Sequence, residues 1–380
     1  MNINFLVVGD IHFGCYPVTL LYKEFQLIIN TIKERDVDAV IIAGDYFDTR
    51  LSLSSPHSVN AIKAFCDLLK ICEKKNIKLR IIRGTASHDP ENQLNNLANI
   101  AKSTNCDFRL FLTVGEEELF PDCKVLYIPE EYMEDKDEYY KEFFNKKYDC
   151  IFGHGMFEET NFSSNKLKTM KRYPVFNSKF MESICSGPIV FGHIHQSQLI
   201  RNRIMYTGSF TRSRFGEQEP KGFLLVNYDT ETKTTEFEFI ENKEAMDYKT
   251  IQILEDSEFF SMLINDQIQF IRNLIKDYKK DKLRISLTIP EDYDNIKPLL
   301  DNINTVFGSI EDVTFNIIDN NKNKLKDEAR NKINELMNKY NFIFDKSIPY
   351  DEKIKQFIFA KKGKEIQIER IRELIYGNVK

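Results

Sequence analysis

The stretch IVFGHIH, from Ile189 to His195, decides the fold that this sequence predicts. A run of Ile, Val and Phe this short, bounded by Pro188 and Gly192, is typical of a buried strand. Gly192 allows the backbone to turn away from that strand, and residues two apart in an extended segment project to the same side. His193 and His195 therefore reach adjacent points, which is a metal-ligand spacing. One such pair by itself is more often two hydrogen-bonded loop histidines.

The same arrangement, an apolar strand followed at once by polar side chains, recurs along the first 200 residues. Predicted strands at residues 3–8, 39–43, 79–82, 125–128 and 150–152 alternate with helical patterns at 18–35 and 60–74. This alternation predicts a parallel-rich α/β sheet whose loops at the carboxyl ends of the strands form the site. Five of the six histidines follow such strands, and we interpret the sixth, His57, as an ordinary surface residue.

Length and composition predict an ordinary intracellular protein of several units. The chain has 380 residues, longer than one core usually supports, and 42% apolar with 29% charged residues is typical of soluble globular proteins. No charged-then-apolar leader opens the sequence, and no apolar run approaches the roughly 20 residues that span a bilayer. Seven scattered cysteines are expected to be reduced thiols. We expect no membrane association and a cytoplasmic location, in a bacterial cell or a phage-infected host.

The charge is unevenly distributed. The net charge of −5 is unusual for a nucleic-acid binder, but residues 321–380 carry 15 Lys and Arg against 9 Asp and Glu. Bound cations would cancel part of the negative charge on the remainder if its carboxylates hold metal.

The polar loops form an ordered set of motifs: D-x-H, GD-x-x-D, a His-Asp loop, GH and GH-x-H. This set resembles the calcineurin-like metallophosphoesterase superfamily over residues 1 to about 240. Four segments are similar to the SbcD nuclease subunit, the counterpart of the eukaryotic meiotic-recombination repair nuclease. They are GDYFDTR, Tyr206-x-Gly208-Ser209 with Arg212, Phe215-Gly216-Glu217 and Lys221-Gly222. The resemblance implies an α/β fold with a double β-sheet sandwich flanked by helices, a small α+β capping domain and a helical C-terminal tail.

The donor chemistry favours a pair of divalent ions. Carboxylate and imidazole ligands without cysteine suit Mn²⁺, Fe²⁺ or Zn²⁺ better than Mg²⁺, and Mn²⁺ is the ion we expect. Two ions about 3.5–4 Å apart, as is usual in such sites, need a bridging carboxylate. By motif position, the resemblance implies that Asp45 is this bridge. It assigns one ion to Asp10, His12 and His195, and the other to His154 and His193.

The loop at Gly84-Thr85-Ala86-Ser87-His88-Asp89 departs from the family pattern. The resemblance implies that His88 is not a ligand but a catalytic acid that supports protonation of the leaving oxygen. The family usually has Gly-Asn-His-Asp, in which the Asn oxygen ligates the second metal. Here two extra residues intervene and Ser87 stands at the Asn position, so we predict Ser87 as a weaker ligand. Asp89 is expected to orient His88 or to cap the following turn, and Asp48 to brace its loop.

Basic residues on two segments suggest a rim that holds a phosphodiester backbone without reading bases. They are Lys166, Lys168, Lys171 and Arg172 after His154, and Arg201, Arg203, Arg212 and Arg214 after His195. For any single one of them, a solvated surface position is the alternative.

The sequence predicts three domains, at residues 1–245, 246–319 and 320–380. The second has a strand-helix-strand-helix-strand pattern, and it either steers DNA or only packs. The third begins with a polar linker at 320–324 and continues with three amphipathic stripes, which either bind a partner or fold back on the chain. These stripes contain Leu325, Ala329, Ile333, Leu336, Met337 and Tyr340; Ile354, Phe357 and Ile358; and Ile368, Ile371, Leu374 and Ile375.

The sequence therefore predicts a metal-dependent DNA exonuclease and endonuclease that processes DNA ends in recombination, repair or replication. The resemblance implies an SbcC-like coiled-coil ATPase as its partner, and we expect a homodimer. Two alternatives remain open: a dinuclear phosphodiesterase or phosphatase on small or protein substrates, and a DNA-binding scaffold with a weakened metal site.

Overall fold

The chain folds into two compact units. The computed structural model describes residues 1–15, 17, 19–160, 174–278, 282–310, 312–319, 340–343, 348–363 and 365–369. One unit comprises Met1–Lys249 with Lys280–Lys282, and the other comprises Thr250–Lys279 with Leu283–Lys380.

Two six-stranded mixed sheets form the first unit. The strands of one sheet are β1 (Asn2–Val8), β2 (Ala39–Ala43), β3 (Lys78–Ile82), β4 (Phe108–Phe111), β13 (Gly222–Asp229) and β14 (Thr235–Glu241). They are arranged in the order β14-β13-β1-β2-β3-β4, in which β1 to β4 are parallel and β13 is antiparallel to both neighbours.

The strands of the second sheet are β5 (Gly115–Phe120), β6 (Cys123–Ile128), β7 (Cys150–His154), β10 (Ile189–Gly192), β11 (Gln198–Arg201) and β12 (Ile204–Tyr206). They are arranged in the order β11-β12-β10-β7-β6-β5, with parallel pairing from β12 through β6 and antiparallel pairing at both edges. A two-stranded ribbon, β8 (Met156–Phe157) with β9 (Val175–Phe176), lies between β7 and β10 in the chain.

The alternation of side chains along the strands makes the sandwich. In β1, Phe5 and Val7 belong to the apolar core that also contains Val125, Tyr127 and Phe152 of the second sheet, whereas Leu6 and Val8 belong to another core with the helices. Because successive side chains point to opposite faces, one buried strand contributes to both cores. Both faces of the central strands are therefore buried, which explains their almost continuous apolar sequences.

In the described part of the first unit, five helices cover the outer faces of the two sheets. They are α1 (Leu20–Glu34), α2 (Pro56–Lys75) and α3 (Glu91–Ala101) against the first sheet, and α4 (Lys136–Phe144) and α5 (Ser178–Ile184) against the second. Helix α2 begins where Ser55 accepts a hydrogen bond from the backbone of Ser58 and Pro56 occupies the first turn, a favoured start.

The second unit has its own apolar core. Its elements are β15 (Tyr248–Ile253), a 3₁₀ turn (Glu258–Ser261), α6 (Ile264–Asp277), β16 (Lys282–Ile289), α7 (Ile296–Phe307) and β17 (Val313–Asp319). The first residues of β15 and β16, up to Lys249 and Lys282, are counted with the first unit. The three strands form a sheet in the order β15-β16-β17, which packs with the two amphipathic helices around residues such as Ile271, Ile285 and Leu299. Helix α8 (Tyr350–Lys362) and a 3₁₀ turn (Asn341–Ile343) belong to the tail.

The predicted fold class is confirmed: two mixed sheets flanked by helices, then a small α+β region and a helical tail. One element was placed wrongly. The composition of the acidic, Tyr-rich stretch from Glu130 to Lys147 predicts a surface helix over its whole length, but α4 begins at Lys136, and Glu130 is buried. Among the described helices, none is long and apolar enough to cross a membrane. The predicted linker at 320–324, the first tail stripe up to residue 339 and the third beyond residue 369 lie outside the described residues.

Candidate metal centre

The loops that follow β1 and β2 lie side by side. The backbone N–H of Asp10 donates to the carbonyl of Gly44 at 3.0 Å, and that of His12 donates to the carbonyl of Asp45 at 3.0 Å. Asp10, His12 and Asp45 all have positive φ, between 50° and 55°. Such backbone costs about 1–3 kcal/mol per residue, and it is concentrated at functional sites.

The second sheet approaches these loops closely. The backbone N–H of His193, which follows β10, donates to both carboxylate oxygens of Asp10, at 3.1 and 2.9 Å. A Cβ at Gly192 would lie 2.2 Å from the carbonyl oxygen of Ala43. Gly192 is therefore required for close approach of the two sheets. Its φ is not among the positive values, so the backbone freedom that we expected of it is not the reason.

A first donor cluster contains Asp10, His12 and His195. Nε2 of His12 lies 3.2 Å from Nε2 of His195 and 4.0 Å from Oδ1 of Asp10. Nε2 of His195 lies 3.8 Å from the same Oδ1. Asp10 and His12 are at most 2% exposed. Three donors from two loops, and from both sheets, therefore converge on one small volume.

A second donor cluster contains Glu130, His154 and His193. Oε2 of Glu130 lies 3.1 Å from Nδ1 of His193 and 3.5 Å from Nε2 of His154. His154 ends β7, and its Nδ1 donates to the carbonyl of Ala43 at 2.8 Å. That bond sets the tautomer, so that Nε2 is left with its lone pair directed into the cluster.

Asp45 lies between the two clusters. Its Oδ2 is 3.9 Å from Nε2 of His12 and 3.4 Å from Nε2 of His154. The same side chain takes part in groups of three possible ligands with His12 and His88, and with Asp10 and His154. This is the placement that a bridging carboxylate requires.

The electrostatics of the two clusters fit divalent cations. Asp10, Asp45 and Glu130 are buried, with at most 3% exposed, and buried carboxylates need positive partners. Burial alone would raise the pKa of Glu130, but the hydrogen bond from His193 and the charge of His154 lower it to about 2. Nε2 of His154 is buried without a hydrogen-bond partner. An unsatisfied nitrogen beside carboxylates is what a metal ligand shows, so these residues fit metal ions.

A cavity of about 730 Å³ lies over the two clusters, and all its walls belong to the first unit. Its lining includes His12, Asp45, Asp48, Thr85, His88, Glu130, Tyr132, His193, His195, Arg214 and Phe215. The donors thus form the floor of a space that admits a substrate.

The part of the chain that carries these clusters matches a known protein family. A family model described as calcineurin-like phosphoesterase matches residues 3–197, just over half of the chain. The chain belongs to the calcineurin-like phosphoesterase family. Phosphoesterases of this family use divalent metal ions, and hydrolysis of phosphate esters is their chemistry.

Relatives of this phosphoesterase include a protein of Invertebrate iridescent virus 6 that is named as a candidate phosphoesterase, 244L. It is 24% identical over 236 residues, which cover 60% of this chain and 77% of the viral protein. The protein TT1561 of Thermus thermophilus is 8% identical with a TM-score of 0.35, covering 63% of this chain and 99% of that one. The nuclease MPE of Pseudomonas putida is 13% identical with a TM-score of 0.29, and the match covers 58% of this chain and 83% of that one. The two structural similarities are too low to carry an argument.

The loop after β3 is arranged differently from our expectation. Ser87 is exposed in a turn and does not line the cavity, so the structure does not bring this predicted ligand to the clusters. Thr85 lies there instead. Its backbone N–H donates to Oδ1 of Asp45 at 2.6 Å, and its hydroxyl donates to Oε2 of Glu130 at 2.9 Å. The two extra residues of this phosphoesterase therefore bulge outward after Thr85.

His88 and two nearby acids, Asp48 and Asp89, each make different contacts. The His88 ring lies edge-on to His12 with 4.8 Å between centroids, and its Nδ1 bonds the backbone carbonyl of Asp48. The Asp48 carboxylate approaches Nδ1 of His12 at 3.4 Å. Asp89 accepts backbone hydrogen bonds from Phe47 and Gly84 at 3.1 and 2.9 Å, so it ties two loops together. Burial, reinforced by the charge of Asp45, raises the pKa of Asp89 to about 6.

Glu217 and Lys221 support His195. Oε1 of Glu217 lies 2.6 Å from Nδ1 of His195, and Oε2 accepts from the backbone of Ser213 at 3.0 Å. The buried Lys221 ammonium donates to the carbonyl of His195 at 3.1 Å and lies 3.4 Å from Glu217. Burial opposes ionisation, yet the hydrogen bond with His195 and the charge of Lys221 lower the pKa of Glu217 to about 2.

Sequence reasoning missed Glu130, Thr85 and the role of Glu217. Glu130 follows strand β6 by two residues, the same placement as Asp10 after β1, so a signal was present. The acidic segment that follows Glu130 has the composition of a helix, and this obscures the signal. Glu217 belongs to a recognisable motif, but its contact with His195 spans 22 residues and has no local signal.

The expected basic rim is largely engaged by the protein itself. Arg201 pairs with Glu182 at 2.7 Å, Arg203 donates to the carbonyl of Cys185 at 2.8 Å, and Arg212 pairs with Asp247 at 3.0 Å. Of these four arginines, Arg214 lines the cavity. Lys166, Lys168, Lys171 and Arg172 lie outside the described residues. His57 is half-buried in the first turn of α2 and belongs to neither cluster.

Proposed function

We propose that this phosphoesterase is a metal-dependent nuclease that hydrolyses phosphodiester bonds of DNA. The observation that carries the proposal is the pair of donor clusters that share Asp45 on the floor of one cavity. Asp10, His12 and His195 would hold one ion and His154 and His193 the other, with Asp45 shared between them. Two divalent ions, when bound, supply an activated water and neutralise charge on the phosphate oxygens. We expect Mn²⁺.

The protein's own groups have defined tasks around the reacting phosphate. Nδ1 of His88 is held by the carbonyl of Asp48, which fixes the ring and leaves its other nitrogen for a proton needed by the leaving oxygen. Asp89, by bonding Phe47 and Gly84, keeps the loops that carry Asp45 and Thr85 at a fixed separation.

DNA is favoured over a small substrate by features outside the clusters. The motifs around GDYFDTR and Phe215-Gly216-Glu217 are similar to those of a nuclease subunit. Arg214 at the cavity wall donates from Nε to Oε1 of Glu217 at 3.3 Å, but its side chain is 67% exposed. The rest of its guanidinium can therefore contact a phosphate backbone. The second unit extends the chain well beyond what a small substrate requires.

We further propose an SbcC-like ATPase as partner and a homodimer as the active form. In support, α8 exposes apolar surface: Phe357 is 38% and Phe359 is 55% exposed. A helix with such residues on its surface is typical of recognition by a groove on a partner. Co-purification with the ATPase, compared between the wild-type chain and Phe357→Ser/Phe359→Ser, tests the partner. Light scattering of the purified chain tests the dimer, and a monomer would contradict it.

The enzymatic proposal is tested by Mn²⁺-dependent degradation of linear DNA. Asp45→Ala should abolish the activity because both clusters lose their shared carboxylate. His88→Asn should slow it by about 10²–10⁴-fold, the usual contribution of a general acid. His57→Asn is the matched control, since the same substitution outside the clusters should leave the rate unchanged.

Three results would contradict the proposal. If His88→Asn and Asp45→Ala degrade DNA at the wild-type rate, the assigned roles are wrong. If the wild-type chain cleaves a cyclic nucleotide or a phosphopeptide but leaves DNA intact, the substrate is wrong and a small-substrate phosphoesterase is the better description. If the wild-type chain binds no Mn²⁺, a DNA-binding scaffold is the better description.

A further inference from the structure

The second donor cluster lacks the amide that the family pattern places after the glycine of the third motif. Thr85 follows Gly84 here, and a threonine hydroxyl is a weaker ligand than an amide carbonyl. The Thr85 hydroxyl is moreover directed to Oε2 of Glu130 at 2.9 Å, and it lies 3.4 Å from Oδ2 of Asp45. Thr85 thus holds neighbouring carboxylates, and a different side chain must supply the missing donor.

Glu130 is fixed in an orientation that suits this task. The hydroxyl of Tyr132 donates to Oε1 at 2.5 Å, and the hydroxyl of Thr85 donates to Oε2. The backbone N–H of Glu130 donates to the carbonyl of Arg83 at 3.2 Å, which anchors the loop after β6 against the loop after β3. The carboxylate is 1% exposed, and its Oε2 is directed at two histidine nitrogens.

The distances in the cluster match those between ligands of one ion. Donor atoms about 2.1 Å from a shared cation lie roughly 3.0–3.4 Å apart at octahedral or tetrahedral angles. Oε2 of Glu130 is 3.1 Å from Nδ1 of His193 and 3.5 Å from Nε2 of His154. Nε2 of His154 is 3.4 Å from Oδ2 of Asp45. Three donors, from Glu130, His154 and His193, therefore surround one position, and Asp45 lies beside it through its contact with His154.

A simple ion pair between Glu130 and His193 accounts for less of the structure. That pair would satisfy Nδ1 of His193, but Nε2 of His154 would stay buried without a hydrogen bond. A buried unsatisfied nitrogen costs about 1–3 kcal/mol. A cation among Glu130, His154 and His193 satisfies all three donors at once.

We propose that Glu130 is a ligand of the second metal ion, where it replaces the amide of the family pattern and Thr85 positions it. This inference rests on the proposed function, because it names a ligand of the same dinuclear site. A carboxylate adds one negative charge that an amide does not, and ligand charge is a main determinant of affinity for divalent cations. The departure at Thr85 therefore does not weaken the second site.

Calorimetric titration of the metal-free 380-residue chain with Mn²⁺, in the absence of DNA, tests the inference. The wild-type chain should bind two ions. Glu130→Gln keeps the size of the side chain but removes its charge, and it should retain one ion. Its second affinity should fall by more than the roughly 10–100-fold that the loss of a partner outside the coordination shell costs.

Glu131→Gln is the matched control. Glu131 is the next residue and is also buried, but it accepts hydrogen bonds from the backbone of Val114 and the hydroxyl of Tyr139 instead of facing the cluster. This variant should bind two ions with wild-type affinity. Circular dichroism of both variants shows whether each is folded.

A measurement on the wild-type chain keeps the test independent of variant folding. Anomalous diffraction from crystals soaked in Mn²⁺ should place a Glu130 oxygen in direct contact with the ion that His154 and His193 bind. Two wild-type affinities in Glu130→Gln, or an ion bound by both histidines without Glu130, would overturn the inference. Either result would leave the proposed nuclease intact if wild-type DNA cleavage persists. A wild-type chain that binds no ion would contradict both.

Discussion

At the scale of single residues, the site is defined by what holds each imidazole. His195 is held by Glu217, His154 by the carbonyl of Ala43 and His88 by the carbonyl of Asp48. In each case one ring nitrogen is engaged, so the other is presented in a fixed tautomer and direction. These partners come from distant positions in the chain, and they determine how well the histidines bind metal.

Glu217→Gln should weaken binding of one Mn²⁺ ion by about 10–100-fold while the other ion stays bound. The reason is that the charged contact to Nδ1 of His195, at 2.6 Å, is lost. Calorimetric titration measures both affinities. Glu182→Gln is the control, because the Glu182 carboxylate pairs with Arg201 at 2.7 Å and belongs to neither donor cluster. Equal affinities in Glu217→Gln and wild type would refute the positioning role.

The buried Glu24 of α1 should make stability depend on pH. It accepts a hydrogen bond from Asn242 at 2.9 Å, and burial raises its pKa from 4.5 to about 7. Between these values the folded chain keeps a proton that the unfolded chain has released. The stabilising contribution is therefore present below pH 4.5 and is lost as the pH rises towards 7, amounting to about 3 kcal/mol.

Glu24→Gln should remove this component. Chemical denaturation measures the free energy of unfolding of both chains at several pH values between 4.5 and about 8. The difference between wild type and variant isolates the contribution of Glu24 from that of other titrating groups. Glu34→Gln, at the exposed end of the same helix, should leave the slope unchanged. If the free energy of unfolding of the wild type minus that of Glu24→Gln does not fall as the pH rises, Glu24 is ionised in the folded state.

At the scale of elements, the carboxyl ends of β1, β2, β7 and β10 meet at one place, and glycines permit the meeting. Gly192 faces the carbonyl of Ala43, and Gly44 faces the ring of His154, where an added Cβ would lie 2.2 Å from Nδ1. A side chain at either position would separate the sheets. The strand ends could be predicted from short apolar runs that stop at Gly, because the pattern is local.

Gly192→Ala should lower the free energy of unfolding by about 1–3 kcal/mol, because the added methyl group meets backbone that cannot yield easily. It should also weaken Mn²⁺ binding, since Ala43 orients His154. Denaturation and calorimetry measure the two effects. Gly115→Ala, whose Cβ would meet only the ring of Phe111 at 3.0–3.1 Å and a more distant carbonyl, should cost less and leave metal affinity unchanged.

Several elements could not be predicted from the sequence. The strands β4, β5, β11, β12 and β14 carry partly exposed, charged or very short sequences at or near sheet edges, so their hydrophobic pattern is weak. The segment after β6 has helical composition throughout, yet Glu130 and Glu131 are buried by contacts with other loops. Tertiary contacts decided its conformation against the local preference.

At the scale of the whole first unit, the donors come from both sheets, so metal ions would link the two halves of the sandwich. Asp10 and Asp45 follow strands of one sheet, and His154 and His193 belong to the other. Ions that bind the folded chain alone stabilise it by mass action. We therefore expect folding stability to depend on occupancy of the metal sites in this protein.

Mn²⁺ at about 100 times its dissociation constant should stabilise the first unit by roughly 2.7 kcal/mol per site, and a chelator should reverse this. Thermal unfolding of the wild-type chain with and without Mn²⁺ measures the shift. Asp45→Ala should show almost none, because both clusters share that carboxylate. An equal shift in Asp45→Ala would mean that the ions bind elsewhere.

The sequence by itself determined the α/β class, the positions of the main strands along the chain, and the loops that carry Asp10, Asp45, His88, His154 and His193. These follow from local periodicity and from motif spacing, which need no knowledge of distant contacts. Only the tertiary structure decided that Glu130 and Thr85 lie at the clusters, that Ser87 does not, and that Glu217 supports His195. Those placements depend on how loops from two sheets pack together, a balance of non-local contacts that no single segment encodes.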